Sequence, residues 1–194
     1  MVSRNYERMK RALDVLNASL AMAAFGIPMI AIGLLIRATS QGPALHWSKR
    51  VGRDNRIFLM AKFRSMRIDS PQVATHLLND PQKFVTPIGK FLRKYSIDEL
   101  PQLYNILAGD ISVVGPRPAL FNQDDLVALR TAKGIHRIIP GLTGWAQVNG
   151  RDELPIPVKV QFDEHYLHHR SIVFDIKIIL KTVLDVFRSS GVSH

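Results

Sequence analysis

The longest apolar stretch of the chain lies near its N-terminus, in the sequence VLNASLAMAAFGIPMIAIGLLI. No charged residue occurs between Asp14 and Arg37, which leaves 22 uncharged residues in a row. A helix of this length is about 33 Å long, enough to cross the hydrocarbon core of a bilayer. The stretch is longer than the apolar part of a signal peptide, and no clean cleavage site follows it. We therefore expect residues 1–40 to form a membrane element and not a cleaved leader.

Two features of this stretch argue against a straight crossing of the membrane. Pro28 lies inside it, where a proline removes one helical hydrogen bond and bends the helix. Both flanks are basic, and the positive-inside rule places basic flanks on the cytoplasmic side. We predict a re-entrant helix-break-helix over residues 1–40 with its bend at Pro28, and a straight span is the alternative. The basic flanking residues are Arg4, Arg8, Lys10, Arg11, Arg37, Lys49, Arg50, Arg53 and Arg56.

After residue 40 the pattern changes to short apolar runs separated by turns. The motif TPIGKFLRKY predicts a helix that is capped by Thr86 and buries Phe91. The next helix ends at Gly109 and is expected to bury Tyr104. Other predicted elements are a β-hairpin in 50–67, an irregular loop in 68–85, a short strand before the Pro-Arg-Pro corner, a surface helix in 122–139 and a glycine-rich loop or twisted hairpin in 140–151.

The C-terminal sequence SIVFDIKIILKTVLDVFRSS is amphipathic. It predicts a helix that either packs on the core or lies on a lipid surface with its lysines at the headgroups. Together these patterns predict an α+β fold that is mainly helical, with a small β-hairpin element. Residues 41–194 would form one cytoplasmic domain, and the whole chain would be a monotopic membrane protein with amphipathic interfacial helices.

Composition adds a strong positive charge to this picture. The 194 residues carry 26 Lys and Arg against 16 Asp and Glu, a formal net charge of +10. This balance indicates an anionic partner, either nucleic acid, an acidic membrane surface or a phosphorylated substrate. The chain has no cysteine, which excludes disulfides, thiolate metal sites and a cysteine nucleophile.

Two adjacent acids, Asp98 and Glu99, stand out in this basic chain. One interpretation is local, because Ser96-x-x-Glu99 fits a capping box at a helix start. The other is chemical: one carboxylate can attack phosphorus to give an acyl phosphate, and a second can hold Mg²⁺ against phosphates. Fixed arginines, which clamp phosphate oxygens with paired donors, would complete such a site. The candidates are Arg64, Arg93, Arg117 and Arg151.

A second polar cluster lies in the motif DEHYLHHR. It places acids and histidines at helical spacing, which suits either a metal site or the polar end of a surface helix. We favour the surface helix. The residues are Asp163, Glu164, His165, His168 and His169.

Four motifs, in this order, resemble the bacterial sugar transferases: KFRSM, RKYSIDELPQLYNILAGDISVVGPRP, PGLTGWAQVNGR and DEHYLHHRSIVFDIKIILKT. These monotopic phosphoglycosyl transferases start glycan assembly on polyprenyl phosphate, and the resemblance runs from Lys10 to Val192. It implies transfer of a sugar 1-phosphate from a UDP-sugar to undecaprenyl phosphate with release of UMP, the first membrane step of O-antigen, capsule, exopolysaccharide or glycoprotein assembly. Many relatives have Ser-Pro at the membrane bend, where this chain has Ile27-Pro28. We expect the minimal form of the family, without the additional N-terminal spans of larger members.

The resemblance also implies roles for single residues. Asp98 would be the nucleophile that carries the phospho-sugar covalently, and Glu99 would be the Mg²⁺ ligand. We expect Mg²⁺ and the arginines to depress the pKa of Asp98, so that it stays ionised. The residues implied to bind phosphate or nucleotide, or to lie near the site, are Lys62, Arg64, Arg93, Arg117, Arg151 and Asp163.

Such a chain would lie on the cytoplasmic face of the bacterial inner membrane. Its implied partners are a UDP-sugar, undecaprenyl phosphate, membrane lipids, downstream membrane-associated glycosyltransferases and a second copy in a homodimer. No motif marks the sugar pocket, so glucose, galactose and N-acetylated amino sugars all stay open.

The alternative from another class is a non-enzymatic, membrane-tethered basic module that binds anionic lipid or nucleic acid. Adjacent acids weaken anion binding unless a metal or a reaction uses them. Only 8% of the residues are aromatic, few for a nucleic-acid platform that stacks bases. We therefore favour the enzyme and expect no nucleic-acid partner.

Overall fold

The computed structural model describes residues 4–71, 80–150 and 154–188. This part of the chain is mainly helical with a small amount of sheet, as the sequence predicts, although it has two sheets and not one hairpin element. The helices are α1 (Arg4–Thr39), α2 (Pro87–Lys94), α3 (Gln102–Ala108), α4 (Asp124–Ala132), α5 (Ile156–His169) and α6 (Ile172–Arg188). The strands are β1 (Leu45–Val51), β2 (Ile57–Phe63), β3 (Ser112–Val114), β4 (Ala119–Leu120) and β5 (Gly141–Thr143).

The larger sheet contains a β-hairpin whose turn and second strand lie in the predicted range 50–67, but whose first strand begins earlier, at Leu45. Strands β1 and β2 pair antiparallel with Leu45 opposite Phe63, and β4 adds to the other side of β1, which gives the order β2-β1-β4. In the smaller sheet β3 and β5 pair in parallel. The sequence pattern predicts only a loop or hairpin in 140–151, because the parallel partner of β5 lies far away in the chain. The parallel pairing brings the loops that follow β3 and β5 to the same edge of the sheet.

The N-terminal half of α1 packs on the globular part of the chain. Ala18 is 1% exposed and packs against Leu103 and Ile106 of α3. Arg11 donates from Nη2 to the carbonyl of Leu107 at 2.8 Å. A basic side chain there satisfies a carbonyl that the end of α3 leaves without a helical partner. Helix α1 therefore supports the helix that follows the two acids.

A buried polar network ties the first turns of α1 to α5 and α6. The carboxylate of Asp175, which is 5% exposed, accepts hydrogen bonds from Lys10 at 2.7 Å and Tyr6 at 3.0 Å. It also accepts one from the hydroxyl of Tyr166 at 2.8 Å. One cation and two hydroxyl donors satisfy this buried charge, which would otherwise be costly. The N-terminal end of α1 is thus held against the domain.

The C-terminal end of α1 packs on the same body. Ile36 is fully buried, with Phe63 and Leu92 in one hydrophobic cluster. Arg64, which follows β2, donates to the carbonyl and the hydroxyl of Ser40 at 3.0 and 2.9 Å. Both ends of α1 therefore contact the globular domain.

The middle of α1 is exposed and apolar. Ile27 is 82% exposed and Leu34 is 65% exposed. An 18-residue window of the helix has a mean hydropathy of 2.2 and is 6% buried, so the helix is long and apolar enough to cross a membrane. The helix continues through Pro28, so the predicted break does not occur as an interruption. One proline removes a single hydrogen bond, which a long helix tolerates. The re-entrant path through lipid stays a prediction.

The ends of the short helices at Thr86 and Gly109 are predicted correctly, whereas their buried faces are not. Thr86 accepts a hydrogen bond from the backbone N–H of Gly89 at 3.0 Å, and Gly109 with φ of 93° ends α3. Phe91 and Tyr104, however, are each 56% exposed. Helices of 8 and 7 residues have room for little more than one covered turn, and their neighbours decide which side chains it contains.

Helix α6 is apolar on two sides. Ile178 is fully buried in a cluster with Tyr166, while the opposite side of the helix faces outward. Both interpretations of the tail, core packing and a lipid-facing surface, are therefore compatible with its structure. The exposed apolar residues of α6 are Val173, Ile176, Leu180, Val183 and Leu184.

Candidate active site

The two acids lie on a single 3₁₀ turn, Ile97–Glu99, between α2 and α3. Ser96, directly before the turn, has φ of 55°, a left-handed conformation that costs a non-glycine residue about 1–2 kcal/mol. Its side chain makes no capping hydrogen bond, and α3 begins only at Gln102. The capping-box interpretation is therefore wrong: the backbone turns sharply at Ser96, and the side chain of Glu99 binds elsewhere.

Glu99 is bound by two cations. Lys62 Nζ and Arg117 Nη2 both donate to Oε1 of Glu99, at 2.8 and 2.9 Å. Burial by itself would raise the pKa of Glu99, but Arg117 and Lys62 outweigh it and hold that pKa well below its usual range. Glu99 is therefore an anion at neutral pH.

Asp98 behaves differently from its neighbour. It is 7% exposed, and burial raises its pKa, with Lys62 as the largest opposing effect. Glu99 adds to the rise, whereas Arg93 and Arg117 oppose it. The expectation of a depressed pKa is thus wrong for the chain by itself. The physical reason is that the hydrogen bonds of Lys62 and Arg117 go to Glu99, so Asp98 bears the cost of burial with weaker compensation.

Lys62 is placed by an amide that sequence reasoning missed. Lys62 lies on β2, an edge strand, next to Ala61. Asn105 of α3 is fully buried, accepts from Ala61 N at 2.9 Å and donates to Leu59 O at 2.8 Å, much as a neighbouring strand would. The signal was available, because Asn105 is the last residue of the D-E-L-P-Q-L-x-N motif and stands among apolar residues.

The backbone of Arg117 contacts a buried ion pair between Arg130 and Asp163. Arg117 lies in the Pro-Arg-Pro corner between β3 and β4, and its carbonyl accepts a hydrogen bond from Arg130 Nη1 at 2.8 Å. Arg130 also donates from Nε and Nη2 to Oδ2 of Asp163, at 3.0 and 2.6 Å. Burial raises the pKa of Asp163, and Arg130 opposes that rise. Asp163, an expected site residue, thus connects to the acids through Arg130, which the sequence analysis did not single out.

The three other arginines expected at the site do not all lie near the two acids. Arg93, in the last turn of α2, is close enough to lower the pKa of Asp98. The guanidinium of Arg64 binds backbone and side-chain oxygens at the exit of α1, on Ser40 and Pro43. Arg64 therefore fixes the C-terminal end of α1 to β2. Arg151 lies outside the described residues.

The polar end of α5 forms surface contacts. The rings of His165 and His169 stack with their centroids 4.1 Å apart, and Glu164 pairs with Lys133 at 3.0 Å. These contacts fit the surface-helix interpretation of the DEHYLHHR motif.

A comparison with known protein families shows which family the chain belongs to. The model of the family described as bacterial sugar transferase matches residues 5–189. The chain belongs to the bacterial sugar transferase family. This confirms the resemblance seen in the four motifs.

Curated relatives of this bacterial sugar transferase have related names. A UDP-N-acetylgalactosamine-undecaprenyl-phosphate N-acetylgalactosaminephosphotransferase of Aeromonas hydrophila is 37% identical over 191 residues, which cover 96% of this chain and 45% of the relative. A UDP-glucose:undecaprenyl-phosphate glucose-1-phosphate transferase of Escherichia coli K12 is 38% identical, covering 92% and 40%. The exopolysaccharide production protein ExoY of Rhizobium meliloti is 36% identical, covering 94% and 87%. The chain thus spans less than half the length of the first two relatives and most of the third.

The donor set of this sugar transferase suits Mg²⁺. Magnesium in proteins is commonly held by one or two carboxylates, with substrate phosphates and water as the other ligands. Glu99 is an ionised carboxylate with Asp98 beside it on the same turn. Within the described ranges there is no group of three or more His, Cys, Asp or Glu that could hold a metal alone. A magnesium ion at Glu99 would therefore depend on phosphates of a bound nucleotide.

Proposed function

We propose that this sugar transferase moves a sugar 1-phosphate from a UDP-sugar to undecaprenyl phosphate and releases UMP. The observation that carries the proposal is the turn on which a buried Asp98 stands beside Glu99, itself bound by Lys62 and Arg117. A buried acid beside a charged ion-pair cluster is typical of a reaction site and contributes little to stability. The names of the relatives supply the two substrate classes.

The reaction would have two steps. An oxygen of the Asp98 carboxylate attacks the phosphorus that bears the sugar, and the bond from this phosphorus to the bridging oxygen of the diphosphate breaks. UMP leaves with the electron pair, and an aspartyl phospho-sugar remains. A phosphate oxygen of undecaprenyl phosphate then attacks the same phosphorus, which forms the lipid diphosphate sugar and restores the carboxylate.

Two steps suit the charge of the substrates. The nucleotide sugar and the lipid phosphate are both anionic, so a direct attack of one on the other would be opposed by electrostatic repulsion. In the two-step route UMP can depart before the lipid phosphate enters. Lys62, Arg93 and Arg117 surround the acids with positive charge, which favours each anionic substrate in turn.

The cations at Glu99 have a second task in this proposal. Lys62 and Arg117 neutralise Glu99 in the chain by itself. The oxygens of a bound diphosphate would accept hydrogen bonds from the same two cations, and Glu99 would then be the residue that holds Mg²⁺. Magnesium, when bound, would neutralise charge on the diphosphate and favour the departure of UMP.

The position of α1 supports a monotopic arrangement, whereas the re-entrant path is part of the proposal, because the helix is uninterrupted at Pro28. Lys10 near its start pairs with Asp175 of α6, and Ile36 near its end packs on Phe63 of β2. A helix whose two ends contact one domain cannot place those ends on opposite sides of a membrane. The exposed apolar middle around Ile27 would then enter the lipid from the cytoplasmic side of the bacterial inner membrane, where both basic flanks are favoured.

Cysteine labelling tests this topology cleanly, since the chain has no native cysteine. Single cysteines at Ser3, Gln41 and Gln161 are expected to resist an impermeant maleimide in intact spheroplasts and to react after lysis, because all three would be cytoplasmic. Gln161 on α5 is exposed and serves as the control for the domain side. Labelling of Ser3→Cys from outside, with Gln161→Cys protected, would establish a straight span. Replacement of Pro28 by Leu is expected to shift molecules toward that span.

The proposed reaction is tested with a panel of donors. The panel contains UDP-glucose, UDP-galactose and UDP-N-acetylgalactosamine, with undecaprenyl phosphate and Mg²⁺ in detergent. We expect UMP release with at least one donor, and loss of release when Mg²⁺ is chelated. Membrane or lipid binding without UMP release from any UDP-sugar would favour the rival function, a tethered anion-binding module.

A further inference from the structure

The corner that carries Arg117 is held at consecutive carbonyls. The carbonyl of Pro116 accepts from the backbone N–H of Gly141 at 2.9 Å, and that of Pro118 accepts from Arg50 Nη1 at 3.2 Å. Between them, the carbonyl of Arg117 itself accepts from Arg130 Nη1 at 2.8 Å. The two prolines have no backbone N–H, so they cannot fix the corner by donating hydrogen bonds. The corner is therefore held by its carbonyls, which accept hydrogen bonds from other elements. Arg130 supplies the donor at the residue whose side chain reaches Glu99.

Arg130 is unusually constrained for an arginine. It is 8% exposed, and its Nε and Nη2 bind one oxygen of Asp163, which is 1% exposed. A buried ion pair contributes little net stability, because desolvation offsets much of the attraction between the charges. The apolar cluster of Leu126, Ile135 and Val160 already packs α4 against α5. The pair therefore needs an explanation other than helix packing.

A second ion pair on the same two helices provides the contrast. Lys133, directly after α4, binds Glu164 of α5 at 3.0 Å, with side chains 49% and 30% exposed. This exposed pair links the same helices and has neither the burial of the first pair nor its hydrogen bond to the corner. The two pairs therefore differ in burial and in the contact of Arg130 with the backbone of Arg117.

We propose that Arg130, held by Asp163, is a positioning residue that fixes the Pro116–Pro118 corner so that the Arg117 side chain meets Glu99. The inference rests on the proposed function, since it gives Arg130 an effect on catalysis through Arg117. It names a residue outside the four motifs, in α4. Asp163 in turn acts on the site through Arg130.

Hydrogen exchange tests the positioning without reference to activity. In Arg130→Met, exchange of the segment 113–121 is expected to speed up at least about tenfold, because one of the donors that hold the corner is lost. The matched control is Lys133→Met, which breaks the exposed pair on the same helices and should leave this segment unchanged. Equal protection of the segment in Arg130→Met and Lys133→Met would overturn the proposal. Suppose that Arg130→Met exchanges faster in this segment but that the wild-type enzyme releases no UMP. This result would contradict the proposed function and would leave the positioning intact.

Kinetics test the link to catalysis. Arg130→Met is expected to lower kcat about 10- to 100-fold with a smaller change in KM, because a displaced Arg117 misaligns the reacting groups. In combination with Arg117→Ala it should add almost nothing, since both changes remove the same interaction. Multiplicative losses in the double variant would show that Arg130 acts independently of Arg117.

Arg130→Lys is a second test in case Arg130→Met fails to fold. Lysine keeps the charge next to Asp163, but one ammonium cannot match the planar fork that binds Asp163 and the corner together. It is expected to fold and still to lose kcat, whereas Lys133→Met keeps wild-type kinetics. Full activity in Arg130→Lys, with wild-type exchange in 113–121, would overturn the proposal.

Discussion

Replacing Asp98 with asparagine is expected to reduce UMP release by at least about 10³-fold, because an amide cannot serve as the nucleophile toward phosphorus. The change is nearly isosteric, and the side chain is buried on a short turn, so the fold should persist. The measurement is the steady-state rate with saturating UDP-sugar, undecaprenyl phosphate and Mg²⁺, alongside the unfolding midpoint.

Asp69→Asn is the matched control for Asp98. Asp69 is an exposed acid that pairs with Arg67 on the surface, so its loss removes the same charge outside the turn that carries the two acids. We expect wild-type turnover from this control. An Asp98→Asn enzyme that turns over at a rate comparable to wild type would remove Asp98 from the chemistry.

Replacing Glu99 with glutamine is expected to reduce turnover about 10²- to 10³-fold and to abolish the dependence of the residual rate on Mg²⁺. Glutamine keeps the size of the side chain but removes the charge that Lys62 and Arg117 bind and that Mg²⁺ requires. If Glu99 were only a helix cap, glutamine would replace it without loss. The rate is measured as a function of Mg²⁺ concentration.

Glu164→Gln is the control for Glu99. Glu164 also pairs with a lysine, but on the surface of α5. Its replacement should leave both the rate and the Mg²⁺ dependence unchanged. A fully active Glu99→Gln enzyme with wild-type Mg²⁺ dependence would mean that the ion pairs at Glu99 are structural.

The parts of the fold that depend on local chemistry could be predicted from the sequence. Thr86 as a cap and Gly109 as a helix end follow from side-chain and backbone preferences that need no neighbours. The hairpin of β1 and β2 also joins segments that are adjacent in the chain. The apolar stretch around Pro28 predicted a long apolar helix correctly, but its predicted break at the proline is absent, and its path through a membrane stays a prediction.

The errors concern contacts between distant segments. Pairing of β3 with β5 joins residues that are remote in sequence, and no local pattern indicates it. The capping box at Ser96 failed because Glu99 finds Lys62 on another strand and Arg117 on another loop. Such partners are fixed by tertiary structure and override a local preference.

The candidate site shows the same division. The motif residues Asp98, Glu99 and Arg117 came together as expected, since they flank α3 and β3 within a short length of chain. The supports behind them, Asn105 and Arg130, were not identified. Their roles depend on which backbone atoms of β2 and of the Pro-Arg-Pro corner they reach, which only the fold reveals.

Acceptor-free incubation tests the covalent route most directly. Enzyme, UDP-sugar and Mg²⁺ are mixed without undecaprenyl phosphate, and the released UMP and the masses of the intact protein and of its tryptic peptides are measured. The double-displacement route predicts a burst of UMP close to one equivalent of active enzyme, and a gain of the phospho-sugar mass on the peptide that contains Asp98. Addition of undecaprenyl phosphate should then discharge the adduct. An active wild-type enzyme that releases no UMP and gains no mass until the acceptor is added would contradict a covalent intermediate on Asp98.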